Sequence, residues 1–378
     1  MPAFEDLTTF RVGGAAETYL EVHSEDEFIA AIQTADQDGA PLLVLGGGSN
    51  LLVADEGFAG TVVKDMRQGI TPISQDACGG ASFEVVAGHS WDDLVQAAVA
   101  NDWVGLEALS GIPGTVGAAP VQNIGAYGQE VAGAVASVRV WDRLKGAVRT
   151  LTASELGFDY RTSRLKRSMS VTSQLPGAPW YPSPAYVVLS VAFQTRLASL
   201  SAPIAYNELA RHLGAEVGDR VPGDQVRAAV LELRGKKGML LDDPAHPDHD
   251  RWSAGSFFTN PIVPVELAGQ LPADAPRYPV RSARPAITTA PSLGEVREDV
   301  VKTSAAWLIE QAGFSKGYGV IGPDSPARLS SRHTLALTNR GMATARDIAD
   351  LARTVRHGVQ ERFGITLEPE PVLVGVSL

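Results

Sequence analysis

The sequence predicts a globular protein of interspersed helices and short strands, in two or three domains. Three observations carry this expectation. The chain has 378 residues, 44% hydrophobic and 20% charged, the balance of an ordinary globular protein. Helical stripes and short apolar runs are interspersed along its whole length. The Gly-rich turn Gly46, Gly47, Gly48, Ser49, Asn50 lacks the third glycine opening a helix, and the βαβ spacing, that a dinucleotide-binding parallel sheet requires.

Taken in order, TTFRVGG at 8–14 leads into a strand at 18–22. Ser24 and Glu27 form a capping box, and Phe28, Ile29 and Ile32 give the next helix its apolar face until Gly39. Strands are expected at 42–45, 60–64 and 83–87, with a polar turn at 75–80. Trp91, Leu94, Val95, Ala98 and Val99 mark a helix over 90–101. Alternation at 134–141 and 147–151 predicts a hairpin. A basic patch (Arg164, Lys166, Arg167), a Ser- and Pro-rich excursion at 168–185 and a strand at 186–193 follow. Composition shifts near 200, where the domain boundary is placed. Val226, Val230, Leu231 and Leu233 predict a helix ending at Gly235. Helices recur at 304–311 and 344–363, the second with Ile348, Leu351, Val355, Val359 and Phe363 on one stripe and Gly364 as its stop. A strand pair at 365–368 and 372–376 closes the chain.

The run GLEALSGIPGTVGAAPVQNIGAYGQEV at 105–131 organises the rest. It holds Gly111, Gly114, Gly117, Gly125 and Gly128 and almost no charge. Gly costs backbone entropy in helix and strand alike, and the run is too apolar for a disordered linker. It reads as an ordered loop whose backbone approaches something large. Freed N–H groups suit anionic oxygens and uncharged walls suit a flat ring, so a bound cofactor is one reading. A tight turn packed on protein alone is the other.

The net charge of -11 disfavours nucleic-acid binding. Cys78 is the only cysteine, which excludes an intramolecular disulfide and a Cys-rich metal site. The N-terminus shows no leader pattern, and no apolar run approaches the ~20 residues of a membrane span. A cytoplasmic protein with no membrane partner is expected.

Four further groups carry possible chemistry beside plainer explanations. Ser256 in SAGSFFTNP sits in a turn that can expose a hydroxyl, but not in a hydrolase elbow. His246, Asp248, His249 and Asp250 lack a second ligand pair, and a solvated loop explains them without a metal. Glu368 and Glu370 at period two can share one strand face and raise one another's pKa; a solvated strand end gives the same spacing. Arg161, after Tyr160, can clamp a carboxylate or belong to a charged surface patch.

Six stretches in this order, TTFRVGG, PLLVLGGGSNLLVADEGFAGTVV, the 105–131 run, FDYRTSRLK, SAGSFFTNP and LEPEPVLVG, resemble the UDP-N-acetylenolpyruvoylglucosamine reductase family, also called UDP-N-acetylmuramate dehydrogenases or the MurB family. The resemblance covers nearly the whole chain. It implies an FAD-binding region of the PCMH/vanillyl-alcohol-oxidase type, made of two subdomains, over 1–200. A C-terminal α+β substrate-binding domain over 201–378 follows, its last strands packing back on the first region. The FAD contacts it implies are Leu45, Gly46, Gly47, Gly48, Ser49, Asn50 and Leu51, then Ile112, Pro113, Gly114, Thr115, Gly117, Ala118, Gln122, Asn123, Gly125, Ala126 and Tyr127. Tyr206 in PIAYNEL looks like the substrate-loop tyrosine of the longer family class.

The implied reaction is NADPH-dependent reduction of UDP-N-acetylglucosamine enolpyruvate through FAD, completing the muramic acid precursor of peptidoglycan. Arg161 and Glu370 match the pair that polarises the substrate carboxylate, and Ser256 the residue that protonates C2. Tyr160, Tyr206, Asn260 and His333 match substrate-facing positions. The segment before Ser256 is longer here than in the family, so Lys236 and Lys237 are both candidates for the family lysine, with Lys237 preferred. A monomer acting on small molecules is expected. Two other readings are an alcohol or sugar oxidase of the same FAD fold, for which the glycine loops offer no His or Cys as a covalent flavin link, and a binding protein, which would be expected to lose Arg161, Ser256 and Glu370.

Overall fold

Residues 1–76, 78–170, 172–177, 180–281 and 295–378 are described, in a computed structural model of the chain. The polar turn expected at 75–80 and the excursion at 168–185 therefore lie partly outside the described residues. The chain forms two compact units. The first contains Ala16–Gly48 and Ala59–Lys236, the second Pro2–Ala15, Ser49–Phe58 and Lys237–Leu378.

In the first unit, strand Leu42–Leu45 runs parallel to strand Phe58–Asp65, with Ala16–Val22 on the other side of the latter. Helix Glu25–Gln37 covers this sheet. The Ser24 hydroxyl accepts the Glu27 N–H at 3.2 Å, as expected of its cap. Its apolar stripe, Phe28, Ile32 and Ala35, packs with Leu42, Val63, Trp141 and Leu189.

A larger antiparallel sheet has the order Ala147–Thr152, Val135–Asp142, Tyr186–Leu197, Gly80–Val86, Ile70–Asp76. The first two strands are the expected hairpin. The strand Ile70–Asp76 was not expected. It is an edge strand, exposed along most of its length, so its side chains carry no apolar alternation to read. Helix Trp91–Ala100 lays Trp91, Leu94, Val95 and Ala98 against Phe83 and Phe193. Phe83 in turn stacks on Trp103 with centroids 4.1 Å apart.

Residues 201–236 belong to this unit, so the compact units divide at Lys236 and Lys237, not near 200. The cause is apolar packing. Helices Asn207–Leu213 and Gly223–Lys236 bury Leu209, Ala210, Val226, Val230 and Leu233 against Ala108, which lies in the 105–131 run. The second of these helices continues through Gly235, which was expected to stop it, to Lys236.

In the second unit, helix Ala345–Phe363 starts in a capping box made by Thr344 and Asp347 and ends at the left-handed Gly364 (φ 67°). It buries Ile348, Leu351, Val355 and Val359 in a core that also takes Phe10 and Val12 of TTFRVGG, Phe257 and Phe258. Strand Val296–Thr303 pairs with both Ile262–Pro264 and Arg277–Arg281. Only the second half of the expected closing strand pair is a strand. Val372–Val374 pairs in parallel with Leu51–Val53, while 365–368 is irregular. Ile365 and Leu367 are drawn into the helix core instead.

Candidate active site

In the first unit the two glycine loops touch backbone to backbone. A Cβ on Gly47 would lie 2.7 Å from Gly114 Cα, and one on Gly46 would lie 2.9 Å from Thr115 Oγ1. A side chain at Gly47 would have to move the backbone of the opposite loop, and one at Gly46 would have to displace the Thr115 hydroxyl. The 114–117 stretch is pinned from beneath. Gly117 N donates to the Ala87 carbonyl at 2.8 Å, Val116 N to His89 at 2.9 Å, and Trp91 N to Gly114 at 3.1 Å. A Cβ on Gly117 would meet that of Ala87 at 2.6 Å. The result is a cradle of two apposed loops, with Gly47 exposed and Thr115 half-buried, that can meet an anionic group or a flat apolar ring.

The loop continues through the helical turn Ala119–Gln122 into Asn123, which is left-handed (φ 47°) and fully buried. The Asn123 amide donates to Glu130 Oε2 at 3.0 Å and the Asp159 carbonyl at 2.9 Å, and accepts from Ala132 N at 3.2 Å. Its side chain thus serves the protein. Tyr127 is also left-handed (φ 48°) and meets Tyr206 edge-on, ring centroids 5.8 Å apart. Burial pushes the Tyr127 hydroxyl up to about 12, against the opposing charge of Arg234. Tyr206 is 48% exposed at the start of helix Asn207–Leu213.

FDYRTSRLK folds onto the same loop. Asp159 and Thr162 exchange backbone hydrogen bonds at 3.0 and 3.1 Å, which places Tyr160 and Arg161 at the tip of a tight turn. Arg161 is left-handed there (φ 53°), and its Nη2 donates to the Gly125 carbonyl at 2.7 Å. Lys166 Nζ donates to Gln122 Oε1 at 2.7 Å, and Ser163 Oγ to the Val121 carbonyl at 2.9 Å. Of the basic patch, Lys166 is thus tied to the glycine loop, while Arg164 donates to the Tyr186 hydroxyl and the exposed Arg167 to the Gly157 carbonyl.

Sequence reasoning missed the residues that fasten this loop from the helix Gly223–Lys236. Arg227 pairs with Asp92, whose Oδ1 also accepts the Gly111 N–H at 2.6 Å. Arg234, only 6% exposed, donates from Nε to the Gly111 carbonyl at 3.1 Å. Burial lowers its pKa to about 10, partly offset by Tyr127 and Asp92. The signal was present: Arg234 follows Val226 and Val230 at four-residue spacing, on the buried face.

In the second unit, Ser256, His333 and Glu370 are held by one short run. Phe257 N donates to the Leu335 carbonyl at 2.7 Å, and the Phe257 carbonyl accepts Glu370 N at 2.8 Å. The buried rings of Phe257 and Phe258 anchor it. Ser256 Oγ lies 3.4 Å from His333 Nε2. Asn50 Nδ2 donates to the Glu370 carbonyl at 3.4 Å, and Asn260 Oδ1 accepts Ala305 N at 3.0 Å. Glu368 and Glu370 do not share the face of a regular strand. Pro369 bridges Phe258, and exposed Glu368 turns to Arg356 at 3.8 Å. Lys236 is exposed and pairs with Glu232 at 2.6 Å, while Lys237 is half-buried.

Among the described residues no group of three or more His, Cys, Asp or Glu side chains is arranged to hold a metal. Of the residues considered for that role, His246 pairs with Asp243, Asp248 with Arg332, and Asp250 with Ser330 and Ser331, while the His249 ring meets Trp252 edge-on.

Two family models match the chain. The UDP-N-acetylenolpyruvoylglucosamine reductase C-terminal domain covers residues 246–374, and an FAD binding domain covers residues 16–152. The chain is 46% identical over 372 residues to the UDP-N-acetylenolpyruvoylglucosamine reductase of Cutibacterium acnes, covering 98% of this chain and 89% of the relative. It is 48% identical over 397 residues to that of Leifsonia xyli, covering 100% and 99%. A solved UDP-N-acetylenolpyruvylglucosamine reductase from Thermus caldophilus is similar over 99% of this chain and 97% of its own, at 28% identity and a TM-score of 0.59. With its α+β architecture and FAD-binding region, the chain belongs to the UDP-N-acetylenolpyruvoylglucosamine reductase family.

Proposed function

We propose that this chain is the FAD-containing, NADPH-dependent enzyme that reduces UDP-N-acetylglucosamine enolpyruvate to UDP-N-acetylmuramate, a step of peptidoglycan precursor synthesis. The observation that carries it is the cradle in which the 46–48 and 114–117 loops meet at glycine, in a family whose reaction needs a bound flavin. FAD, when bound, takes two electrons and a proton from NADPH and supplies them to C3 of the enolpyruvyl ether.

The residues proposed to hold FAD are Leu45 to Leu51 and, in the long loop, Ile112 to Gly117, Ala118, Gln122, Asn123, Gly125, Ala126 and Tyr127. In the 46–48 stretch backbone N–H groups would do this, joined by the Thr115 hydroxyl, since the N–H groups of Val116 and Gly117 already donate to His89 and Ala87. Asn123 supports the loop shape from within.

The protein's own chemistry concerns the charge that develops on the substrate. When the C3–H bond forms, the C2–C3 double-bond pair moves toward the carboxylate as an enolate. Arg161 and Glu370 are proposed to polarise that carboxylate, the guanidinium by its charge and its planar fork of donors. Ser256 Oγ gives its proton to C2, closing the second C–H bond, and recovers a proton from solvent. Tyr160, Tyr206, Lys237, Asn260 and His333 are proposed to bind the substrate. Action as a cytoplasmic monomer, without nucleic-acid or membrane partners, belongs to the same proposal. The net charge of -11 supports it against nucleic acid, and no helix among the described residues is long and apolar enough to cross a membrane.

The test is stoichiometry. Purified protein supplied with FAD, NADPH and UDP-N-acetylglucosamine enolpyruvate should form one UDP-N-acetylmuramate, identified by mass, for each NADPH consumed. NADPH consumption without that product would assign a different substrate.

A further inference from the structure

The Asp- and His-rich segment before Ser256 has an ordered role. Asp250, in the short turn His249–Arg251, is 4% exposed. Its Oδ1 accepts Ser330 Oγ at 2.7 Å and Ser331 N at 2.8 Å, and its Oδ2 accepts Ser331 Oγ at 2.7 Å. Arg340 Nη1 lies 3.3 Å from Oδ1, and Arg332 Nε 3.8 Å from Oδ2. The turn has little room to shift. A Cβ on Gly238 would meet the Asp250 carbonyl at 2.9 Å, and one on Gly341 would meet the His249 ring at 3.0 Å.

Ser330 is the pivot. A hydroxyl has one proton and two acceptor sites. Its proton goes to Asp250, which leaves both acceptor sites for the N–H groups of Arg332 at 3.0 Å and His333 at 3.2 Å. The turn closes as Ala336 N donates to the His333 carbonyl at 3.0 Å and Ser330 N to the Ala336 carbonyl at 2.8 Å. From this turn His333 reaches Ser256 Oγ, 3.4 Å from its Nε2.

We propose that Asp250 is a positioning residue of the reduction: acting through Ser330, it fixes the turn that aims His333 at Ser256. This rests on the reading of Ser256 as the proton donor. Without the Asp250 carboxylate the Ser330 hydroxyl is free to rotate, and the two amides it accepts lose a fixed partner. The consequence falls on the half-reaction that consumes the enolpyruvyl sugar and spares the half-reaction that consumes NADPH. Asparagine keeps an acceptor oxygen for Ser330, so Asp250→Asn is the conservative variant.

The experiment measures both half-reactions by anaerobic stopped flow on the FAD-loaded full chain. Asp250→Ala and Ser330→Ala should each slow reoxidation by UDP-N-acetylglucosamine enolpyruvate about tenfold or more, with reduction by NADPH within about twofold of wild type. Asp250→Asn should recover most of the loss. In a His333→Ala background, Asp250→Ala should add nothing, because it acts through that side chain. Normal reoxidation in folded Asp250→Ala and Ser330→Ala overturns the proposal, and so does a multiplicative loss in the double variant. Ser330→Ala decides alone if Asp250→Ala does not fold. Ser256→Ala separates the two ideas. If it reoxidises at the wild-type rate, the proton-donor reading fails. If it is blocked while Asp250→Ala and Ser330→Ala are normal, only the positioning role fails.

Discussion

Arg227 and Asp92 meet through two parallel bonds, Nη1 to Oδ1 at 2.7 Å and Nη2 to Oδ2 at 2.8 Å. The same Asp92 Oδ1 accepts the Gly111 N–H, and Arg234 donates to the Gly111 carbonyl. Both backbone groups of Gly111 are thus committed to side chains. Two helices hold the entrance of the long glycine loop at one residue. Arg227→Ala should lower unfolding stability by about 1.5 to 3 kcal/mol, the range for hydrogen bonds to a charged group. It should also weaken FAD retention on dilution. An unchanged urea midpoint would show that the pair does not fasten the loop.

Gly47→Ala should produce protein that purifies without FAD. Its Cβ would sit 2.7 Å from the Gly114 backbone, and neither loop can yield without opening the cradle. Gly69→Ala is the control, since a Cβ there meets nothing within 4 Å and no unusual backbone angle is required. Flavin content at the wild-type level in Gly47→Ala would contradict the cradle.

Arg161→Lys keeps the charge and loses the fork that reaches Gly125. Turnover of the enolpyruvyl sugar should fall by about a hundredfold, the scale of one preorganised transition-state donor. Flavin reduction by NADPH should stay near wild type. Equal loss in both half-reactions would mean that Arg161 supports the loop rather than the substrate.

Asp250 and Asp92 both titrate below the ordinary aspartate value of 3.8. Burial by itself would raise each. It is outweighed at Asp250 by the hydroxyls of Ser331 and Ser330, and at Asp92 by Arg227 and the Gly111 N–H. The unfolded chain therefore takes up these protons first as pH falls below about 4. The stability they contribute is complete above that pH and is lost as pH drops through the folded values. Asp250→Asn should flatten the stability curve below about pH 4 and leave its slope above about pH 5 unchanged. Parallel curves for variant and wild type at low pH would contradict this.

Where one face of an element was buried, its pattern was legible. Phe28 and Ile32, Trp91 and Leu94, and Ile348, Leu351 and Val355 marked their helices because each stripe meets a core. The edge strand Ile70–Asp76 was not legible, because exposed side chains need no pattern. Nor was the assignment of residues 2–15 and 49–58 to the second unit, which depends on pairings such as Val372 with Leu51, more than three hundred residues apart in the chain. The glycine loops announced close backbone approach, and the structure supplies the partner of each. The fastening of Gly111 and the Asp250–Ser330 pivot were hidden for a different reason. An Asp or Arg in a sequence looks solvated until the fold buries it, and only Arg234 lay on a stripe that betrayed it.

The two apposed glycine loops are proposed to hold a redox-active flavin that serves the enolpyruvyl sugar. The most direct test is the visible spectrum of the purified protein under anaerobic conditions, before and after NADPH and then after UDP-N-acetylglucosamine enolpyruvate. Bands at about 370 and about 450 nm should bleach with NADPH and return with the sugar. A protein that stays colourless even after addition of FAD would contradict the account at its base. One that bleaches and does not recover would retain the flavin and overturn the substrate.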